Sequence, residues 1–167
     1  MNPLFIPNSR DALNAMPVIL LVDDNTEFLE ILERRFRRRG FDVVACTDAA
    51  GALEAARLGK LDVAIVDRGL RSGDGIELLK QLKRDNSELS VIILSGNSDE
   101  RTVRLALDAG AFDYLAKPCS LADLEATVRR ALSARKLANA NSHIACESAR
   151  PDDRKATEAV RRSCDNC

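Results

Sequence analysis

Four short stretches of this chain carry side chains able to do chemistry together: Asp23-Asp24, Asp67, Ser95-Gly96 and Lys117-Pro118. Each follows a run of apolar residues, so each is expected at the end of a strand. Three carboxylates brought close repel one another, and that cost calls for an offsetting cation. All-oxygen ligation with few protein carboxylates suits Mg²⁺, which keeps several waters and also binds phosphate oxygens. A carboxylate can itself be a nucleophile and give an aspartyl phosphate. Lys117 adds a point charge able to reach a carboxylate or phosphoryl oxygen. Ser95 adds a hydroxyl donor, and Gly96 leaves space for a phosphoryl group to approach. A metal, a nucleophile, a cation and a hydroxyl donor suffice for phosphoryl transfer by positioning and electrostatics.

The elements that must position these groups are legible as periodic runs. Val18 to Val22 is continuously apolar, as in a strand buried on both faces. Phe28, Leu29, Ile31, Leu32 and Phe36 recur at helical spacing and stop at Gly40. Asp42 to Cys46 reads as the second strand, and Ala49 to Leu58 as a helix ended by Gly59. Asp62 to Val66 is the third strand and Gly75 to Arg84 a helix with Ile76, Leu79 and Leu82 on one side. Ser90 to Leu94 is the fourth strand. Asp99 to Ala109 is a helix, capped by Ser98 or Asp99 and ended by Gly110. Ala111 to Ala116 is the fifth strand, and Ser120 caps a last helix to about Leu137. Five strands alternating with five helices imply parallel pairing through right-handed crossovers. The expected architecture is α/β, a doubly wound five-stranded parallel sheet in the order 2-1-3-4-5, a flavodoxin-like (βα)5 fold. In that order strands one and three are neighbours, so the three carboxylates converge beyond their carboxyl ends.

Composition excludes several classes. The 167 residues are 46% hydrophobic and 31% charged with a net charge of −1, the mix of a globular domain with no global field toward nucleic acid or anionic lipid. The longest apolar run is far too short to span a bilayer. Residues 1–16 read as an irregular arm without a secretory pattern, so a cytoplasmic protein with free thiols is expected. The core domain is read as 17–137, with a polar tail over 138–167, disordered or carrying one short helix around Asp153 to Ser163.

The order and placement of these residues resembles the bacterial two-component response-regulator receiver (CheY-like) family. The residues that carry the resemblance are Asp23-Asp24, Asp67, Ser95, Tyr114 and Lys117-Pro118, and it covers about residues 17–137. It implies Mg²⁺ bound directly by Asp24, more through water by Asp23, and also by Asp67 and the Gly69 carbonyl. It implies that Asp67 is the residue phosphorylated by a histidine kinase or phosphotransfer protein. Ser95 and Tyr114 match the family's switch pair, and Pro118 the place of its cis proline. Two departures stand out. Arg71 replaces a usual proline, so a somewhat looser loop is expected ahead of the intact Gly73-Asp74-Gly75 turn. Gly69 and Asn97 occupy positions that tune phosphoryl lifetime; without a side chain at Gly69, water is neither blocked nor oriented there.

The resemblance implies a non-enzymatic signalling domain that acts through a downstream protein partner on the helix four, strand five and helix five face. The protein is expected as a monomer or a phosphorylation-promoted homodimer. Thirty residues after Leu137 hold no ordinary DNA-binding output domain, so neither direct nucleic-acid binding nor membrane contact is expected. The rival reading is a pseudo-receiver that binds partners without phosphate; the intact acidic triad with Lys117 argues against it. A flavin-binding domain of this topology would need a phosphate loop after strand one, and an aspartate-nucleophile phosphatase would need an Asp-x-Asp pattern there. Asp23-Asp24-Asn25 supplies neither.

Two further patterns stand outside this reading. Arg34, Arg35, Arg37, Arg38 and Arg39 form a basic run at the end of the first helix. A solvated face favourable to the helix dipole is the plainer account, and a docking surface for an acidic partner the sharper one. His143-x-x-Cys146 and Cys164-x-x-Cys167 have the paired spacing of a zinc clip. The tail has almost no apolar core to hold such a clip, and a disordered tail is the simpler reading.

Overall fold

Five largely apolar runs become five strands, and the central three are buried on both faces almost throughout. The computed structural model describes residues 16–96 and 99–147, with side chains described to residue 138. The elements follow in strict alternation: β1 (Val18–Val22), α1 (Thr26–Arg37), β2 (Asp42–Cys46), α2 (Ala49–Leu58), β3 (Val63–Asp67), α3 (Gly75–Asp85), β4 (Ser90–Ser95), α4 (Glu100–Asp108), β5 (Asp113–Ala116) and α5 (Leu121–Glu147). The strands form one parallel sheet in the order β2-β1-β3-β4-β5, the order expected.

Alternate residues of each strand feed two separate cores. Leu20, Val22, Ala64, Val66, Val91 and Ile93 face one way and pack with Ala52 of α2, the apolar side of α3 and Ala106 of α4. Ile19, Leu21, Val63, Ile65, Ile92 and Leu94 face the other way, against Leu29, Leu32 and Phe36 of α1 and Leu124, Val128 and Ala131 of α5. All five residues of β3 are buried. Each fully buried aliphatic side chain contributes about 1.5–3 kcal/mol relative to exposure, so the central strands are fixed in register by both faces at once.

The helix ends follow from local chemistry. Asn25, Asp48, Asp74 and Asp99 each cap the helix that follows them through a side-chain oxygen accepting a backbone N–H. Ser120 Oγ accepts the Asp123 amide at 3.1 Å and donates to the Asp123 carboxylate at 2.7 Å. Helices α1 and α4 stop at Gly40 and Gly110, whose φ angles of 81° and 95° suit only glycine well. The bond from Ala111 N–H to Ala106 O belongs to that second stop, so β5 begins at Asp113 and not at Ala111. Strand β3 is shifted by one residue from the expected span; Asp62, just before it, donates its amide to Val18 O and accepts the Val18 amide on its carboxylate, both at 2.9 Å.

Helix α5 runs to Glu147, beyond the expected end near Leu137. Residues 138–147 contain alanines and no glycine or proline, so nothing local ends the helix there. The segment read as the start of a polar tail is therefore helical over these residues. All of the 1–16 arm but Met16, and the short helix expected around Asp153 to Ser163, lie outside the described residues. The chain divides into two units after Ser133, and the first holds the sheet. Among the described residues no helix is long and apolar enough to cross a membrane.

Gly75 shows how tightly the site is built into this frame. A Cβ there would fall 2.3 Å from the Asp67 carbonyl oxygen and 2.7 Å from the Arg68 Cα, both backbone atoms that cannot swing aside. At Gly59 a Cβ would meet only ordinary contact at 3.7 Å. Gly75→Ala is expected to lower the unfolding free energy by about 1–3 kcal/mol, whereas Gly59→Ala should leave it unchanged or raise it by up to about 1 kcal/mol. Urea unfolding of the two variants beside wild type checks the contrast.

Candidate functional site

Parallel strands place all their carboxyl ends on one edge, and the chemistry-bearing residues collect there. Asp23 follows β1 directly and is only 4% exposed. Its backbone amide donates to Cys46 O, so the residue continues the sheet. Its Oδ1 accepts the Asn25 amide at 2.9 Å and its Oδ2 accepts from Lys117 Nζ at 2.6 Å. Both oxygens are thereby engaged. Asp24 is half-buried, and its Oδ2 lies 2.6 Å from Arg71 Nε. Asp67 is the last residue of β3, paired with Leu94 of β4, and its Oδ1 lies 2.7 Å from Lys117 Nζ. Carboxylate oxygens of Asp23, Asp24 and Asp67 lie within 4.8 Å of one another, the one group among the described residues arranged to hold a cation.

Lys117 joins these acids from the far strand. Its backbone N–H donates to Ser95 O at 2.7 Å, and the Lys117–Pro118 peptide is cis. Its ammonium bridges Asp23 and Asp67 and stands 4.7 Å from the centre of the Phe28 ring, an added cation–π attraction. Burial pushes the Lys117 ammonium toward neutrality, but hydrogen bonds and charge from Asp23 and Asp67 outweigh it and hold its pKa above the ordinary lysine value.

Beside the acids opens a cavity of about 430 Å³ lined by Asp67, Arg68, Gly69, Gly73, Asp74, Ser95 and Gly96. A Cβ at Gly69 would lie 3.3 Å from Asp67 Oδ2, whereas one at Gly96 would meet nothing within 4 Å. Gly69 thus borders the carboxylate closely, and Gly96 borders open space. Ser95 is buried at the end of β4. Tyr114 sits on β5 opposite Ile93, half-buried against the first core. Asn97 lies outside the described residues.

Residues 19–129 match the model of the response regulator receiver domain. The chain belongs to that family. Among its relatives, the alkaline phosphatase synthesis transcriptional regulatory protein PhoP of Bacillus subtilis is 32% identical over 126 residues, covering 75% of this chain and 52% of that protein. The chain spans about half the length of the curated relatives it matches. A CheY-like receiver domain protein of Methanospirillum hungatei shares the fold, with a TM-score of 0.71 at 24% identity, over 73% of this chain and 98% of that one. A response regulator protein of Burkholderia pseudomallei, solved with a phosphorylated aspartic acid, calcium ion and citrate, matches with a TM-score of 0.65 at 28% identity, over 75% of this chain and 74% of that one.

Two contacts in this receiver were not foreseen from sequence. Arg71 was noticed only as a missing proline, yet it pairs with Asp24 across two loops. Phe28 was placed in the apolar stripe of the first helix, yet its ring also lies against Lys117. In the basic run, Arg37 pairs with Glu33 at 3.0 Å and donates to Val43 O, and Arg39 pairs with Glu125. Those two arginines serve the fold; Arg34, Arg35 and Arg38 form no ion pair among the described residues. Cys46 and Cys119 are free thiols, and burial pushes both pKa values up, away from reactive thiolates. The candidate zinc ligands His143 and Cys146 fall on the last turns of α5, where side chains are not described, and Cys164 and Cys167 lie outside the described residues.

Lys117 compensates two nearly buried carboxylates. Lys117→Met is expected to lower the unfolding free energy at pH 7 by about 1–3 kcal/mol, measured by urea unfolding with a chelator present. Because the folded-state pKa is raised, this contribution is whole below the unfolded lysine value and fades as alkaline pH rises through the folded one. The stability gap between wild type and variant should therefore close only in strongly alkaline buffer.

Proposed function

We propose that this receiver accepts a phosphoryl group on Asp67 from a histidine kinase or phosphotransfer protein, in a Mg²⁺-dependent reaction, and signals through protein contacts. The observation that carries the reading is the Lys117 ammonium set 2.6 Å from Asp23 and 2.7 Å from Asp67 beside an open cavity. A phosphorylated aspartate in the Burkholderia pseudomallei relative supports it.

The donor set fits Mg²⁺. It offers only oxygens, from clustered carboxylates at the rim of a cavity. Asp24 and Asp67 would hold the ion with the Gly69 carbonyl. Asp23, both of whose oxygens are engaged, would act through water. When bound, the ion would neutralise charge on phosphoryl oxygens. The chain's own residues do the rest. An Asp67 carboxylate oxygen attacks phosphorus, and the bond from phosphorus to the donor's histidine nitrogen breaks, its electron pair staying with the imidazole. Lys117 compensates charge on the transferred group, and the Ser95 hydroxyl donates to a phosphoryl oxygen.

The new group adds close to two negative charges. In this reading Ser95 turns toward it, Tyr114 follows inward, and the face of α4, β5 and α5 changes its partner preference. That downstream partner is a protein, the setting is cytoplasmic, and the receiver is a monomer or a homodimer promoted by phosphorylation. Residues 17–137 act as the receiver unit, and the domain itself is not an enzyme.

Incubation with Mg²⁺ and acetyl phosphate should add the mass of one phosphoryl group to wild type. The adduct should vanish in Asp67→Asn and when the metal is chelated; intact-protein mass spectrometry reads all three. No adduct in wild type, together with no binding of beryllium fluoride, would replace this reading with a phosphorylation-independent binding module.

A further inference from the structure

We propose that Arg71 is an internal competitor for the divalent cation and sets the receiver's affinity for it; this rests on the metal site read above. The three acids differ in how their charge is met. Asp23 and Asp67 share Lys117, which holds one oxygen of each. Asp24 instead meets Arg71, whose Nε lies 2.6 Å from Oδ2. Arg71 reaches Asp24 from the β3–α3 segment that also contributes Asp67, Gly69 and Gly73 to the cavity wall. A guanidinium therefore stands on the acid best placed to ligate a metal.

A cation and a guanidinium on the same carboxylate repel one another. Metal binding must displace Arg71 or tolerate it as a close like charge, and either cost lowers affinity. The cost is bounded by exposure. The Arg71 side chain is 87% exposed and the Asp24 side chain 22%, so the pair is solvated and salt-screened. It acts as a modest counterweight that yields to the ion. Losing it should tighten Mg²⁺ binding by roughly two- to fivefold, the range an exposed ion pair supplies.

The contact must be separated from the general field of a nearby positive charge. Arg68 provides the comparison, since it lines the same cavity but forms no ion pair with Asp24 among the described residues. Isothermal titration of the full chain with Mg²⁺ alone, at low and high sodium chloride, would compare wild type, Arg71→Gln, Arg68→Gln, Asp24→Asn and the Asp24→Asn/Arg71→Gln pair. The expected result is tighter binding in Arg71→Gln at low salt, a gap to wild type that narrows at high salt, and a smaller gain in Arg68→Gln. On the Asp24→Asn background the Arg71 substitution should make no difference.

Equal affinity in wild type and Arg71→Gln would overturn the proposal while leaving the metal site standing. So would an equal gain in Arg68→Gln, or an Arg71 effect that persists without Asp24. No Mg²⁺ binding by wild type would overturn the metal reading itself, and the proposal with it.

Discussion

The ammonium of Lys117, lodged between Asp23 and Asp67, is the interaction on which the rest of the site depends. Asp23 and Asp67 are 4% and 8% exposed, and two carboxylates so placed repel strongly without a cation. The lysine is 94 residues from Asp23 in the chain, so this neutralisation exists only once the sheet is complete. Its backbone bond to Ser95 and its contact with the Phe28 ring hold it from below and beside. Burial opposes its charge, and the two acids overcome that opposition. The result is a site whose charge is already organised, as the proposed phosphoryl transfer by positioning and electrostatics would require.

That convergence follows from the two-faced burial of the strands. A strand apolar on both sides sits inside a sheet covered on both faces, and here the alternation of strands with helices supplies that cover through parallel crossovers. Parallel crossovers put every strand's carboxyl end on one edge, and the reversal of order between β1 and β3 opens the crevice there. The acids are therefore a consequence of where apolar runs stop: Val22 gives way to Asp23, and Val66 to Asp67. Gly75 shows the closeness of the fit, since α3 starts against the carbonyl of the phosphoacceptor candidate itself.

Strand order and the cluster of Asp23, Asp24, Asp67 and Lys117 were legible because they depend on periodicity and on residues at strand ends. What escaped notice has a common physical cause. Arg71 acts through the reach of a long side chain across two loops, and loops carry no period from which reach can be read. Phe28 satisfies the apolar stripe of α1, so its second role against Lys117 leaves no separate trace. Asp62 reads as a strand residue until the partner of the Val18 amide is known. The end of α5 was misplaced because the apolar pattern fades near Leu137, while helix propensity in the alanine-containing stretch beyond it does not.

The site has a stiff half and a softer half, and this asymmetry bears on how a signal would leave it. Every residue of β3 is buried, and β1 is nearly so, whereas β5 is four residues long, lies at the sheet edge and has no fully buried residue. Ser95 pairs with Ala116 and Ile93 with Tyr114, so the two proposed switch residues lie on adjacent strands two steps apart in register. On its outer side β5 is tied to α5 by the Asp113–Arg130 pair at 2.6 Å, with the arginine side chain 62% exposed, a tie weak enough to be remade. Elements with few buried contacts open at lower cost than the core around them. Under the proposed phosphorylation, a charge added at Asp67 would meet the buried strands β1 and β3 on one side, and β5, with its shallower burial, is the neighbour that would yield at least cost.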